Sequence, residues 1–316
     1  MSRKRSKKIE KKSPVKNRSP KHIIYLVSAA VIILYLTSFI IRDIRHSLLF
    51  SRQDRVNIIV YDDVPTYYSF GLREVGNYAL SFYPDLRAQV PGGYGYYRIG
   101  ALGKLVKLEQ DPDILRRTFS SITSTFVDYS FYTNSDDVYY GGEEVKKKEK
   151  RPTIQQILLM ESNASLVDRL IILSLLNRIK SNTIHEISYV PYDQVKEDTI
   201  INNEQFLDKQ IGAFYQKTYR DENLNVQIIY SKSRDTAHHI SSLLNGNGIV
   251  VVDISQEKND NLNCTIRTEY VDRRYQTVEF LSNFFDCDIE SGRTGVYDIQ
   301  FLLGGVEETW EVNYNL

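Results

Sequence analysis

Cysteine is scarce in this chain of 316 residues, which holds two. That excludes a disulfide-rich scaffold, and without any C-x-x-C it also excludes the usual zinc ribbons and thioredoxin-like redox sites. Neither H-E-x-x-H nor G-x-S-x-G occurs, so a zinc protease or an α/β-hydrolase has no support. His238 and His239 are neighbours, about 100° apart on a helix, and do not form an i, i+4 metal pair. An excess of one charge is lacking too, with 40 Lys+Arg against 40 Asp+Glu. The balance is uneven along the chain. Residues 1–22 hold ten Lys/Arg and one Glu, leaving 30 basic and 39 acidic residues for the rest. With 42% hydrophobic and 25% charged residues the composition is that of a globular protein and excludes wholesale disorder.

One long uncharged run is present. Ile23 to Ile41, nineteen residues without charge, Gly or Pro, would span roughly 28 Å as a helix, about one bilayer core. Only Ser28, Thr37 and Ser38 interrupt it, so it has no polar stripe of the kind a buried core helix shows. It is followed by Arg42, Asp43 and Arg45 rather than by a small-residue cleavage site, which favours a retained anchor. Ten basic residues precede it and four (Arg42, Arg45, Arg52, Arg55) follow closely, so the positive-inside rule puts the N-terminus in the cytoplasm. The expected location is the cell membrane, single-pass, with residues 42–316 outside. The expected partners are the lipid bilayer and, at the basic tail, anionic lipid headgroups; nucleic acid is the weaker partner for that tail.

Beyond a short helical neck, Asp43 to Phe50, the pattern is α/β. VNIIVY (56–61), NYALSFY (77–83) and VDYSFYT (127–133) read as strands. The Gly-rich stretch VPGGYGYYRIGALGKL reads as a loop leading into a helix, and Asp113 as the cap of a helix ILRRTFSSITSTF. Residues 134–152 read as a surface loop. Helical spacing of Leu166, Leu170, Leu173, Leu176 and Ile179 follows, with Asn163 or Ser165 as its cap. HEISYVPY predicts a strand and Asn203 to Tyr219 a further helix. From residue 225 onward the order is βαββαβ, with Glu311 to Tyr314 as an added edge strand, enough for a two-layer domain.

That last unit resembles the C-terminal domain of LytR-CpsA-Psr cell-envelope proteins. The matching positions are Gly248, Val250, Val251, Val252, Asp298, Ile299, Leu303 and Gly304; Tyr230-Ser231-Lys232 stands where the family has Asn-Gly-Ser. VNIIVYDD, LSFYPDLRAQVPG, VDYSFY and LVDRLIILSLL resemble, in degenerate form, the strands and Arg helix of the family's catalytic domain. Departures are Asp85-Leu86-Arg87 in place of Arg-Asp after Pro84, Arg73-Glu74 for the Arg-x-Asp-Thr segment, and Ile172 at a helix Arg position. The implied organisation is a tail (1–22), a transmembrane helix (23–41), a degenerate LytR-CpsA-Psr-like α/β domain (56–220) and a LytR C-terminal-like domain (225–316).

The resemblance implies transfer of an anionic glycopolymer from a polyprenyl diphosphate carrier to peptidoglycan, with a metal ion and several Arg around the diphosphate. Convergent guanidinium groups and a carboxylate-held cation are what such chemistry needs. The residues available are Arg73, Arg87, Arg98 and Arg169 for phosphate, and Asp62, Asp63, Asp85 and Asp168 for a metal; each has a structural role at a loop or strand end as its competing assignment. GGYGYYRIG fits neither phosphate-loop motif, and a plain turn is the stronger assignment. Tyr94, Tyr96 and Tyr97 could stack on a sugar ring. Asn163-Ala-Ser and Asn263-Cys-Thr match a glycosylation pattern short enough to arise by chance. Whether Cys264 and Cys287 bond is open: the return of the chain could bring them together, but sheet and helix layers lie about 10 Å apart. The favoured expectation is a non-catalytic envelope binding or scaffolding protein without cofactor, whose partner is a cell-wall glycan or a polyprenyl-linked glycopolymer. The alternative is a divergent Mg-dependent phosphotransferase, and the third class is a transmembrane regulator with a DNA-binding tail. Three or more Arg and two carboxylates lining one concave pocket would mark the enzyme.

Overall fold

The computed structural model describes residues 25, 28, 31, 35, 53–72, 76–141, 151–195, 198–210, 212–258, 263–273 and 275–312. Residues 1–46 and 47–316 form two units. In the first, Tyr25, Ser28, Val31 and Tyr35 are helical and exposed. The tail 1–22, the neck 43–50 and the remainder of the run 23–41 lie outside the described residues. No helix among the described residues is long and apolar enough to cross a membrane.

The second unit is mixed α/β. Its largest sheet has six strands in the order β7-β6-β1-β2-β3-β8. These are β1 (Arg55–Tyr61), β2 (Thr66–Gly71), β3 (Asn77–Ser81), β6 (Tyr129–Tyr132), β7 (Glu161–Ser162) and β8 (Ile184–Ile187). Alternation along β1 loads both faces: Val56, Ile58 and Val60 enter one core, Ile59 and Tyr61 the other. Helices α1 (Leu102–Glu109) and α2 (Asp113–Thr123) cover the Ile59 side with Leu105, Leu115 and Phe119. Helices α3 (Ile154–Leu159) and α4 (Leu166–Arg178) cover the other through Ile157, Ile172 and Leu176. A strand buried on both faces reads as a continuous apolar run, which is why VNIIVY was legible.

A second sheet, in the order β5-β4-β10-β9, joins β4 (Arg87–Val90), β5 (Gly95–Arg98), β9 (Tyr192–Val195) and β10 (Asp198–Ile201). The Gly-rich stretch expected as a loop leading into a helix does lead into α1, but holds the turn of the β4–β5 hairpin (residues 91–94) and strand β5 itself. Gly92 and Gly93 take φ of 94° and 78°, the left-handed region open to glycine, and both N–H groups donate to the Glu311 carbonyl.

The third sheet runs β12-β11-β15-β13-β14, built from β11 (Asn225–Tyr230), β12 (Val250–Gln256), β13 (Thr265–Thr268), β14 (Asp288–Ser291) and β15 (Ile299–Leu302). The apolar faces of α7 (Arg234–Gly246) and α8 (Gln276–Phe285) cover one side with Ile240, Leu244, Leu281 and Phe285. Residues of the other side carry hydrogen bonds such as Gln227 to Asp253 and Gln300 to Gln227, both 2.8 Å. Strand β14, whose four side chains are exposed, was not anticipated because DIES has no apolar alternation.

Three local expectations are corrected, and one left open is resolved. Asp113 does not cap α2: the Asp111 carboxylate accepts from the Asp113 N–H at 2.9 Å, and Asp113 sits in the first turn paired to Arg116. Of the two residues left open as the cap of α4, Ser165 accepts from the Asp168 N–H. The helix expected over 203–219 is two helices, α5 (Asn203–Gln210) and α6 (Lys217–Glu222), separated where Gly212 takes φ of 85°. Of the edge strand expected over Glu311 to Tyr314, Glu311 and Val312 are in no strand and residues 313–316 lie outside the described ones; helix α9 (Val306–Thr309) precedes them. Cys264 and Cys287 are disulfide-bonded, with Cα atoms 4.7 Å apart. The bond joins the residues that lead into the parallel neighbours β13 and β14, so the layer spacing does not arise.

Candidate functional site

The site begins at a turn. Strand β3 ends by burying Phe82 completely and sending Tyr83 outward, as alternation requires. Pro84 then takes the second place of a β-turn closed by the Leu86 N–H on the Tyr83 carbonyl at 3.1 Å, the position where its fixed φ is pre-set. Asp85 follows. Its carboxylate accepts from Arg98 at 3.4 Å and from the Gly141 N–H at 3.0 Å. Gly141 is needed there: a Cβ would run into the ring of Tyr83.

The opposite wall comes from a segment a hundred residues away. Beyond β8, Ser188-Tyr189-Val190-Pro191 turns the chain from the six-stranded sheet into β9 of the four-stranded one. Val190 packs inward against the core, while Tyr189 and Tyr192 remain 51% and 52% exposed and Tyr83 42%. The ammonium of Lys209 lies 4.1 Å from the centre of the Tyr189 ring, which steadies the ring and lends the wall a positive charge. Between the walls is an open groove of about 460 Å³. Ser81, Ser188, Gln194 and Thr199 give it hydroxyl and amide groups, and Leu86 and Val190 an apolar strip. Gln194 accepts from the Thr199 hydroxyl at 3.0 Å.

The arginines considered from sequence are spent on structure. Arg87 pairs with Asp198 at 3.0 Å across the β4–β10 contact. Arg98 holds Asp85 and lies over the ring of Tyr140. Arg169 donates to the carbonyls of Ile157, Leu158 and Met160 at 2.7, 3.2 and 2.9 Å, closing the C-terminal end of α3. Burial lowers its pKa from the usual guanidinium value. Arg73 lies outside the described residues. None of Arg87, Arg98 and Arg169 lines the groove.

The carboxylates are also apart. Asp62 accepts from Gln156 at 2.6 Å and Asp63 from the Val64 N–H at 3.0 Å, both at the end of β1. Asp85 is in the groove turn, and Asp168 is buried in the first turn of α4, accepting from the Ser165 hydroxyl at 2.9 Å. Among the described residues no three His, Cys, Asp or Glu side chains gather where they could hold a metal ion.

Of the tyrosines considered for sugar stacking, Tyr94 donates to Glu109 at 3.4 Å, Tyr97 packs against the core, and Tyr96 stands half-buried on β5. Tyr83, Tyr189 and Tyr192 were not singled out. Their only sequence signal was the outward phase of each strand's alternation, and that phase is shared by many of the 23 tyrosines.

No protein-family model matches the sequence, and no curated protein is similar to it. Solved structures are similar over half of the chain. The crystal structure of TagT from B. subtilis is 12% identical, with a TM-score of 0.34 over 50% of this chain and 88% of that one. The LytR-CPS2A-psr family protein YwtF (TagT) with bound octaprenyl pyrophosphate lipid is 13% identical, with 0.34 over 49% and 87%. The transcriptional regulator yvhJ from Bacillus subtilis is 10% identical, with 0.35 over 50% and 94%.

Proposed function

We propose that this chain is a membrane-anchored, extracytoplasmic binding protein of the cell envelope that holds a glycan in the groove between β3, β8 and β9, without catalysing transfer. The observation that carries this reading is the convergence of Tyr83, Tyr189 and Tyr192, each at least two-fifths exposed, on one groove with hydroxyl and amide groups beside them. A sugar ring presents an apolar C–H face and an equatorial belt of hydroxyls. Exposed aromatic faces receive the first, and Ser, Thr and Gln groups receive the second. A diphosphate would instead call for guanidinium groups in the groove, whereas Arg87, Arg98 and Arg169 each serve a structural contact. The uncharged run 23–41 and the basic tail before it support the anchor and its orientation.

The full chain, in detergent micelles, should bind soluble peptidoglycan or other wall-glycan fragments in titration calorimetry. Tyr189→Ala with Tyr192→Ala should weaken that binding at least about tenfold, the loss of one or two stacking faces, with an unchanged circular dichroism spectrum. Equal affinity in the double variant would end the groove assignment. Turnover of a polyprenyl-diphosphate glycopolymer that depends on Arg87 or Arg98 would favour the transferase.

A further inference from the structure

Helix α4 carries a second apolar stripe, about 120° round the helix from the buried one. Ile172 and Leu176 enter the core, while Leu166 and Leu170, four residues apart and therefore on one stripe, are 67% and 55% exposed. Helix α3 adds to this surface. Arg169 of α4 grips its last carbonyls, so the two helices adjoin, and α3 leaves Leu158 and Leu159 at 41% and 78% exposure. A helix with a second apolar face is normally covered by something. Here nothing among the described residues covers it.

Charge and chain length point to the occupant. The described cations at the ends of this helical pair, Arg151 before α3 and Arg178 and Lys180 at the end of α4, are exposed, against one exposed carboxylate, Glu161. An apolar stripe with a basic rim is the pattern of a surface that settles into the headgroup region of an anionic bilayer. The same chain carries the uncharged run that ends at Ile41, thirteen residues before β1. Fully extended, those residues reach about 45 Å. A compact unit the size of residues 47–316 has a radius of gyration of about 18 Å. The tether enters at β1, and Val56, the second residue of that strand, packs in the core that α3 and α4 cover, so the tether need not pass round the unit for their outer face to meet the membrane.

We propose that the outer face of α3 and α4, centred on Leu159, Leu166 and Leu170, lies on the surface of an anionic lipid bilayer, the one that anchors the chain. This rests on the anchor reading given under the proposed function. It adds that the unit is held in one orientation by two attachments, a span and a face.

The test uses the full chain reconstituted in phosphatidylcholine vesicles with roughly 30% phosphatidylglycerol. Both native cysteines are bonded, so Leu159→Cys, Leu170→Cys and, as a reference, Val296→Cys can each carry one environment-sensitive fluorophore. All three positions are exposed, where a substitution usually changes stability little. Labels at 159 and 170 should shift to the blue and be quenched at least twofold by lipids bearing a quencher on the upper acyl chain, and less in vesicles without phosphatidylglycerol. The label at 296 should behave as in water. Labels at 159 and 170 that match the one at 296, in chains that float with the vesicles, would overturn the docking and leave the anchor standing. Chains that fail to float would overturn both. A blue shift that vanishes when the chain is diluted in excess lipid would mean that a second copy, not lipid, covers the face, and would also overturn the proposal.

Discussion

Arg169 shows how one side chain can fit a sequence expectation and be used otherwise. On a helix that resembles the Arg helix of the LytR-CpsA-Psr catalytic domain it looked available for phosphate; in the fold its guanidinium satisfies three carbonyls at the end of α3, groups that helix geometry leaves without partners. Arg169→Met should cost about 1–3 kcal/mol in urea denaturation, and Arg169→Lys should restore only part, since one ammonium cannot sit both where Nη1 serves these carbonyls and where Nε donates to the Ala164 carbonyl. A stability equal to wild type in Arg169→Met would refute the structural role. Two groups contribute opposing responses to pH. Burial raises the Asp128 pKa to about 7, outweighing the bonds from the Asn57 N–H and Gln53. Part of the residue still reaches solvent, which trims the effect. Burial lowers the His239 pKa to about 4.

The signs of those two shifts oppose. A carboxyl raised in the fold contributes stability at low pH that is lost as pH rises through about 7, whereas a lowered imidazole contributes stability above its unfolded value of 6.5 that is lost as pH falls through about 4. Between pH 4 and 6.5 the slopes offset each other in the wild-type chain. Asp128→Asn should remove one and leave stability falling with acid. Denaturation midpoints at pH 7.0, 5.5 and 4.5 measure this, and curves parallel to wild type would show that Asp128 does not hold its proton.

Apolar strands and half-covered helices were legible, whereas short edge strands and the buried but hydroxyl-rich central strand β2, TYYSFG, were not. VNIIVY, NVQIIY and the helix over 234–246 announce themselves, because a fully covered strand is apolar throughout and a half-covered helix repeats every 3.6 residues. β9, β10 and β14 are short strands at or near sheet edges, and YDQV or DIES carries no pattern that separates it from a loop. The disulfide is likewise an element-scale fact: it depends on Cys287 leaving α8 directly into the strand beside β13. Closing a loop of sequence separation 23, it should contribute about 3 kcal/mol through the unfolded chain. Cys264→Ser with Cys287→Ser should lower the urea midpoint accordingly, and reduction of the wild type should reproduce that shift; a midpoint unaffected by either would mean that the bond adds no stability.

At the scale of the molecule, residues 47–316 form one unit. Phe126, which follows α2, packs in the C-terminal core, 4.6–6.1 Å from the rings of Phe280, Phe284 and Phe285. At Gly246 of α7 a Cβ would run into the Ser124 carbonyl, so the two regions touch backbone to backbone. Phe126→Ala should cost about 3–5 kcal/mol and shift a single cooperative transition, followed by both tyrosine fluorescence and far-ultraviolet dichroism. Two separated transitions in the wild type would show that the regions unfold independently.

By itself the amino-acid order determined the α/β class, most strands and helices, and the expectation of an anchored chain, because periodicity, capping and long apolar runs are written in neighbouring residues. Tertiary structure alone decided which polar groups are used up and which face outward. Arg87, Arg98 and Arg169 find partners across sheets and helix ends. Tyr83 meets Tyr189 and Tyr192 in one groove, though a hundred residues of chain lie between them. A side chain's chemistry is carried by its own atoms, but its availability depends on what the fold sets beside it, and that is a property of distant segments brought together.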